Sequence, residues 1–81
     1  MQEIPSLDVQ TLDLRGLRCP LPVLKARKAI KAWPAGTQVA VLVTDPSAPD
    51  DFQDFCQVTG HDWLGVEALA DHKRLTLKLT A

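Results

Sequence analysis

A chain of 81 residues with 46% hydrophobic residues and a net charge of −1 has one core's worth of apolar side chains and no room for a second domain. No apolar run approaches the ~18 residues a membrane helix needs, and the opening MQEIPSLDVQ lacks the basic and apolar regions of a secretory leader, so a cytoplasmic location is expected. The two cysteines, Cys19 and Cys56, have neither CxxC spacing nor a histidine at ligand spacing, which argues against a zinc site, and a reducing cytosol argues against a structural disulfide.

Residues 1–9, with Pro5 and no clear period, read as a loose tail, and residues 10–81 read as a single domain. Thr11 to Arg15 alternates polar and apolar and predicts a short strand, broken by Gly16. Helical periodicity starts near Pro20: Val23, Ala26, Ile30 and Trp33 share a face, with Lys25, Lys28 and Lys31 largely opposite, until Pro34-Ala35-Gly36 stops the helix. Gln38 to Thr44 is β-branched and almost continuously apolar, as suits a central strand. The loop at Asp45-Pro46-Ser47 leads to a second helix, for which Asp50 or Asp51 is the expected cap, with Phe52, Phe55 and Cys56 on its apolar face and Gly60 past its end. Trp63 to Leu69 alternates loosely. Arg74 to Thr80 alternates cleanly, with Leu75, Leu77 and Leu79 toward the core. The order is βαβαββ. Two helices cannot cover both faces of a four-stranded sheet, so the expected fold is α/β (α+β): a two-layer sandwich, with a mixed four-stranded sheet and both helices on one face.

Charge is segregated along the chain. Leu14 to Thr44 holds Arg15, Arg18, Lys25, Arg27, Lys28 and Lys31 and no acid, whereas Asp45 to Asp71 holds seven acids and no lysine or arginine. Cys19 falls in the basic stretch, in the segment Cys-Pro-Leu-Pro. Proline costs a helix interior about 3 kcal/mol or more but costs little in the first turn, where N–H groups lack helical partners. The prolines therefore place Cys19 at or near the N-cap, with Pro20 at the first helical position and Pro22 at the third. That position predicts a thiol whose pKa is lowered by the helix dipole and by Arg18, with Lys25 as a further cation. His61 and His72 show no spacing that pairs them with Cys19, which favours thiolate exchange over triad-type acyl chemistry. The competing reading of Cys19 is a small buried hydrophobe, and Cys56 is read as a core cysteine. The aspartates near residue 50 read as a solvated helix start rather than a metal site, the tryptophans as core or core edge, and His61 and His72 as surface turn residues.

Asp13 to Ala26, DLRGLRCPLPVLKA, resembles the signature of the TusA/SirA-like family of bacterial sulfur carriers, in which Cys-Pro-x-Pro follows a short strand and opens the first helix. Pro34-Ala35-Gly36, Thr44-Asp45-Pro46, Phe55-Cys56 and Thr59-Gly60-His61 extend the likeness over about residues 11–80. The resemblance implies the same βαβαββ sandwich. It implies that Cys19 accepts persulfide sulfur from a cysteine desulfurase and relays it to an acceptor protein, for tRNA 2-thiouridine, molybdenum-cofactor synthesis or sulfur oxidation. Gly16, Pro20 and Pro22 would position the thiol, and Arg18 and Lys25 would dock partners or tune it. Leu21 stands where carriers of the tRNA pathway often have Glu. On this reading the chain is a sulfurtransferase-type carrier rather than a stand-alone turnover enzyme, and it needs no cofactor and no metal, because pyridoxal phosphate would belong to the desulfurase. Two alternatives remain: a small RNA-binding or regulatory module using the basic first helix, disfavoured by the negative charge and few aromatics, and a thiol redox partner using Cys19 with Cys56.

Overall fold

The computed structural model describes residues 9–80. Strand β1 (Val9–Asp13) runs into helix α1 (Leu21–Ala29), which tightens into a 3-10 turn (Ile30–Ala32) before strand β2 (Gln38–Val43). Helix α2 (Ala48–Thr59) and strands β3 (Asp62–Ala68) and β4 (Lys73–Lys78) complete the order βαβαββ. The sheet order is β1-β2-β4-β3, with β1 parallel to β2 and the other two pairings antiparallel. This is the mixed sheet expected from the sequence.

Period-two patterning decides which face is covered. Val39, Val41 and Val43 of β2 are fully buried, and Leu75 and Leu77 of β4 stand beside them, Val41 opposite Leu75 and Val39 opposite Leu77. The alternate residues Gln38, Ala40 and Leu42, with Arg74 and Thr76, line the open face. Both helices pack on the buried side. Helix α1 supplies Ala26 and Pro22, with Val23, Ile30 and Trp33 at the core edge, and α2 supplies Ala48, Phe52, Phe55 and Cys56.

Element ends depart from the sequence reading by one to three residues, each for a local reason. Strand β1 already includes Val9, where the tail was expected, and the rest of that tail lies outside the described residues. Helix α1 begins at Leu21, so Pro20 is its N-cap and Pro22 its second residue. Helix α2 begins at Ala48 with Ser47 as N-cap, because Pro49 is tolerated at the second position, and Asp50 and Asp51 fall in the first turn instead of capping it. His61 is no mere surface turn residue: its Nδ1 accepts a 3.1 Å hydrogen bond from the Thr80 amide, and its ring lies 6.0 Å from that of Phe55. His72 is likewise largely shielded and bonds the Asp71 carboxylate at 2.6 Å.

Arg15 pairs with Asp13, its Nε 2.8 Å from Oδ1 and its Nη2 2.8 Å from Oδ2. The two-point contact lowers the Asp13 pKa from 3.8 to about 2. A depressed native pKa means that the pair favours folding above the ordinary carboxylate range and that this contribution is lost as pH falls from 3.8 through about 2. In an NMR titration the Asp13 carboxylate is expected to have its midpoint near 2, and Arg15→Ala is expected to return it toward 3.8.

Candidate functional site

Parallel neighbours β1 and β2 both end at the same edge of the sheet, so the loops that follow them open side by side. The β1–α1 loop carries Gly16 and Cys19, and the β2–α2 loop carries Thr44, Asp45 and Ser47. One hydrogen bond stitches them together: the Gly16 amide donates to Thr44 Oγ1 at 2.9 Å. Gly16 has φ +86°, a conformation that a side chain would strain, so this residue lets the chain turn directly after β1. Gly16, Leu17, Arg18, Thr44, Asp45 and Pro46 line a shallow crevice between the two loops.

Cys19 sits exposed in a turn from Arg18 to Leu21, closed by a 2.8 Å bond from the Leu21 amide to the Arg18 carbonyl, with a cis Cys19–Pro20 peptide. Exposure overturns the alternative of a buried hydrophobe. The position also corrects the expected cap. Cys19 precedes the N-cap, and the helix start offers its sulfur few donors: Pro20 and Pro22 have no N–H, the Leu21 amide serves Arg18, and the Leu24 amide serves Pro20. Pro22 is buried and anchors the first turn of α1 in the core, whereas Leu21 is 44% exposed beside the thiol.

The electrostatics are the reverse of the sequence expectation. The sulfur of Cys19 and carboxylate oxygens of Asp45 and Asp51 all lie within 4.8 Å of one another. Hydrogen bonding to Asp51 raises the Cys19 pKa first of all, desolvation adds to it, the Ser47 hydroxyl opposes it, and the charges of Asp51 and Asp45 raise it further. The groups that act most strongly on the sulfur are Asp51, Ser47 and Asp45 rather than Arg18 or Lys25. Lys25 lies instead on the outer face of α1, in a shallow basic and apolar groove with Leu21, Leu24, Arg27, Lys28 and Lys31. Among the described residues, Cys19, Asp45 and Asp51 form the one group with donor atoms suited to a cation. They lack the imidazole or second thiol that usually accompanies a single cysteine around a soft metal, and no metal is assigned to them. Ser47 Oγ donates to Asp45 Oδ2 at 2.6 Å, fixing the loop beside the thiol.

Cys56 is free and buried in the core, 2% exposed, and burial pushes its thiol up to about 11. This is the core cysteine expected. A two-thiol redox partner would need Cys56 to reach the surface, and the fold keeps it inside.

A two-layer sandwich that offers one exposed thiol at the mouth of two adjoining loops, with its second thiol sealed in the core, belongs to the class of small thiol-presenting carriers. The family model for Sulfurtransferase TusA matches residues 10–79, and the chain belongs to that family. A protein of Neisseria meningitidis serogroup A is 49% identical over 55 residues, covering 68% of this chain and 74% of the relative. The sulfur carrier protein TusA of Pseudomonas entomophila is 44% identical over 55 residues, covering 68% of this chain and 69% of that one. The crystal structure of the SirA-like protein from Desulfitobacterium hafniense superposes with a TM-score of 0.76 at 27% identity, over 89% of this chain and 99% of that one. The chain is a sulfur carrier protein, a role that requires a donor and an acceptor of sulfur. No helix among the described residues is long and apolar enough to cross a membrane.

Proposed function

We propose that Cys19 is the residue that bears the carried sulfur, as a persulfide received from a cysteine desulfurase and passed to an acceptor protein in the cytoplasm. The observation that carries the proposal is the exposure of Cys19 on the turn before α1, in a chain whose other cysteine is buried. A relay needs a sulfur that two partners reach in succession, and a thiol on a rigid turn meets that need without a substrate pocket. Pro22 fixes the start of α1, Pro20 rigidifies the turn, and Gly16 holds the turn against the neighbouring loop, so all three position the thiol. Arg18, beside Cys19, and the outer face of α1 from Leu21 and Lys25 to Lys31 are exposed and suit an acidic partner surface. The chemistry asks no cofactor of this chain. The sulfur goes to tRNA 2-thiouridine formation or to a related route such as molybdenum-cofactor synthesis or sulfur oxidation, and the exposed Leu21 gives the partner an apolar contact where a glutamate would give a charge. The test is peptide mass mapping after incubation of the full chain with a pyridoxal-phosphate-dependent cysteine desulfurase and cysteine. The Cys19 peptide is expected to gain one or more sulfur atoms. Sulfur on the Cys56 peptide alone, or on neither, would defeat the proposal.

A further inference from the structure

The acids near residue 50 have no part in the sulfur chemistry described so far, yet the fold delivers two carboxylates to the sulfur. We infer that Asp51, joined by Asp45 and opposed by Ser47, is an electrostatic catch on Cys19, converging on the sulfur from the first turn of α2 and the loop before it and holding the free carrier in the thiol form. The inference rests on Cys19 being the sulfur-bearing residue and concerns how that residue is kept between transfers.

Three elements meet here. The β1–α1 loop presents the sulfur, the β2–α2 loop presents Asp45 and Ser47, and α2 presents Asp51. A negative charge within about 4–6 Å disfavours a second one. The groups that bear most strongly on the sulfur bring two negative charges and no positive one, and the helix start has few amide donors left for a thiolate. Ser47 can donate its hydroxyl either to the sulfur or to Asp45, where it is found, and a swing to the sulfur would favour the thiolate.

The consequence is chemical. Thiolates, not thiols, enter the ladder of sulfenic and sulfinic oxidation, so an exposed carrier cysteine held as thiol is protected while idle. Loading remains balanced. The sulfur of Cys19 attacks the outer sulfur of a donor protein persulfide, R–S–SH. The donor S–S bond breaks as the new one forms, and the proton leaving Cys19 ends on the donor sulfur: Cys19–SH + R–S–SH gives Cys19–S–SH + R–SH. Asp51 stands where that proton departs, and no outside oxidant or reductant enters.

The experiment is the pH profile of Cys19 alkylation by iodoacetamide, on the chain as it stands and on variants, with Cys56 as an internal monitor of folding. In Asp51→Asn the midpoint is expected to move to lower pH, and alkylation at neutral pH to rise about threefold to tenfold. Asp51→Glu, which keeps the charge, is expected to stay close to the parent, and Ser47→Ala to move the other way. A profile for Asp51→Asn that coincides with the parent's, while Cys56 stays unlabelled, overturns the inference. Should Asp51→Asn loosen the fold, the Cβ titration of Cys19 in the unaltered chain decides: a midpoint above the ~8.5 of free cysteine supports the catch, and one at or below it refutes it. Alkylation needs no sulfur donor. A failed catch therefore leaves the carrier role standing, and failure to load at Cys19 would show in the desulfurase experiment alone.

Discussion

Cys19→Ser is expected to abolish persulfide loading altogether while leaving the fold and its melting temperature nearly unchanged. The side chain is exposed and takes no part in the core, so exchanging sulfur for oxygen disturbs little packing. A hydroxyl forms no persulfide, and it is far too weakly acidic to replace a thiolate at neutral pH. The counterpart is Cys56→Ser, which places a hydroxyl among Phe52, Phe55 and the β4 leucines. There the expected outcome is reversed: loading is retained, and stability falls by about 1–3 kcal/mol if the new hydroxyl finds no partner. Mass spectrometry and thermal melts on the two variants, side by side, separate the sulfur-bearing role from the packing role. Loading retained in Cys19→Ser, or lost in a folded Cys56→Ser, would reverse the assignment of the two cysteines.

The layers and the sheet were legible because burial imposes period two on strands and a stripe on helices. Val39, Val41 and Val43 announce a strand covered on one side, and Leu75 and Leu77 announce its antiparallel partner. The nearness of Cys19 to a helix start was legible from the prolines, which cost least in a first turn, whereas its exposure was not. What sequence reasoning missed is the company Cys19 keeps. Along the chain it sits among cations, and charge counted along the chain predicts an activated thiol. In space two acids come to it, because Asp45 and Asp51 follow β2, the strand parallel and adjacent to β1. A signal for this was present. Once the first and second strands are taken as parallel neighbours joined by a crossover helix, their following loops must share an edge, and Thr44, Asp45 and Ser47 of the second loop, with Asp51 in the first turn of α2, are polar residues available there. The exact residue at which each helix begins depended on turn geometry at Pro20 and Ser47, which periodicity does not report.

Phe52→Ala is expected to be the most destabilising single change in the core, at about 3–5 kcal/mol. Phe52 is wholly buried, and its ring meets Phe55 edge to face at 6.4 Å between centroids and 77° between planes. Helix α2 is the thicker half of the helical layer, and its apolar stripe closes over the buried face of the sheet, so removal of the ring leaves a cavity that a four-stranded sheet cannot collapse to fill. A domain of 81 residues has a total stability of only about 4–12 kcal/mol, so the loss is a large share of the whole and corresponds to at least ~12 °C in melting temperature. Phe55, 9% exposed and at the edge with His61, is expected to lose less when cut to alanine. Thermal and denaturant melts of the two variants measure the difference. A Phe52→Ala cost near 1 kcal/mol, or one smaller than that of Phe55→Ala, would mean that α2 does not close the core as described. The same ring bears on the site, because Phe52 follows Asp51 directly and fixes the first turn of α2 against the sheet. The milder Phe52→Leu, which keeps the chain folded at a cost of about 1 kcal/mol, is therefore expected to loosen the placement of Asp51 and to shift the alkylation profile of Cys19 toward lower pH, by less than Asp51→Asn does.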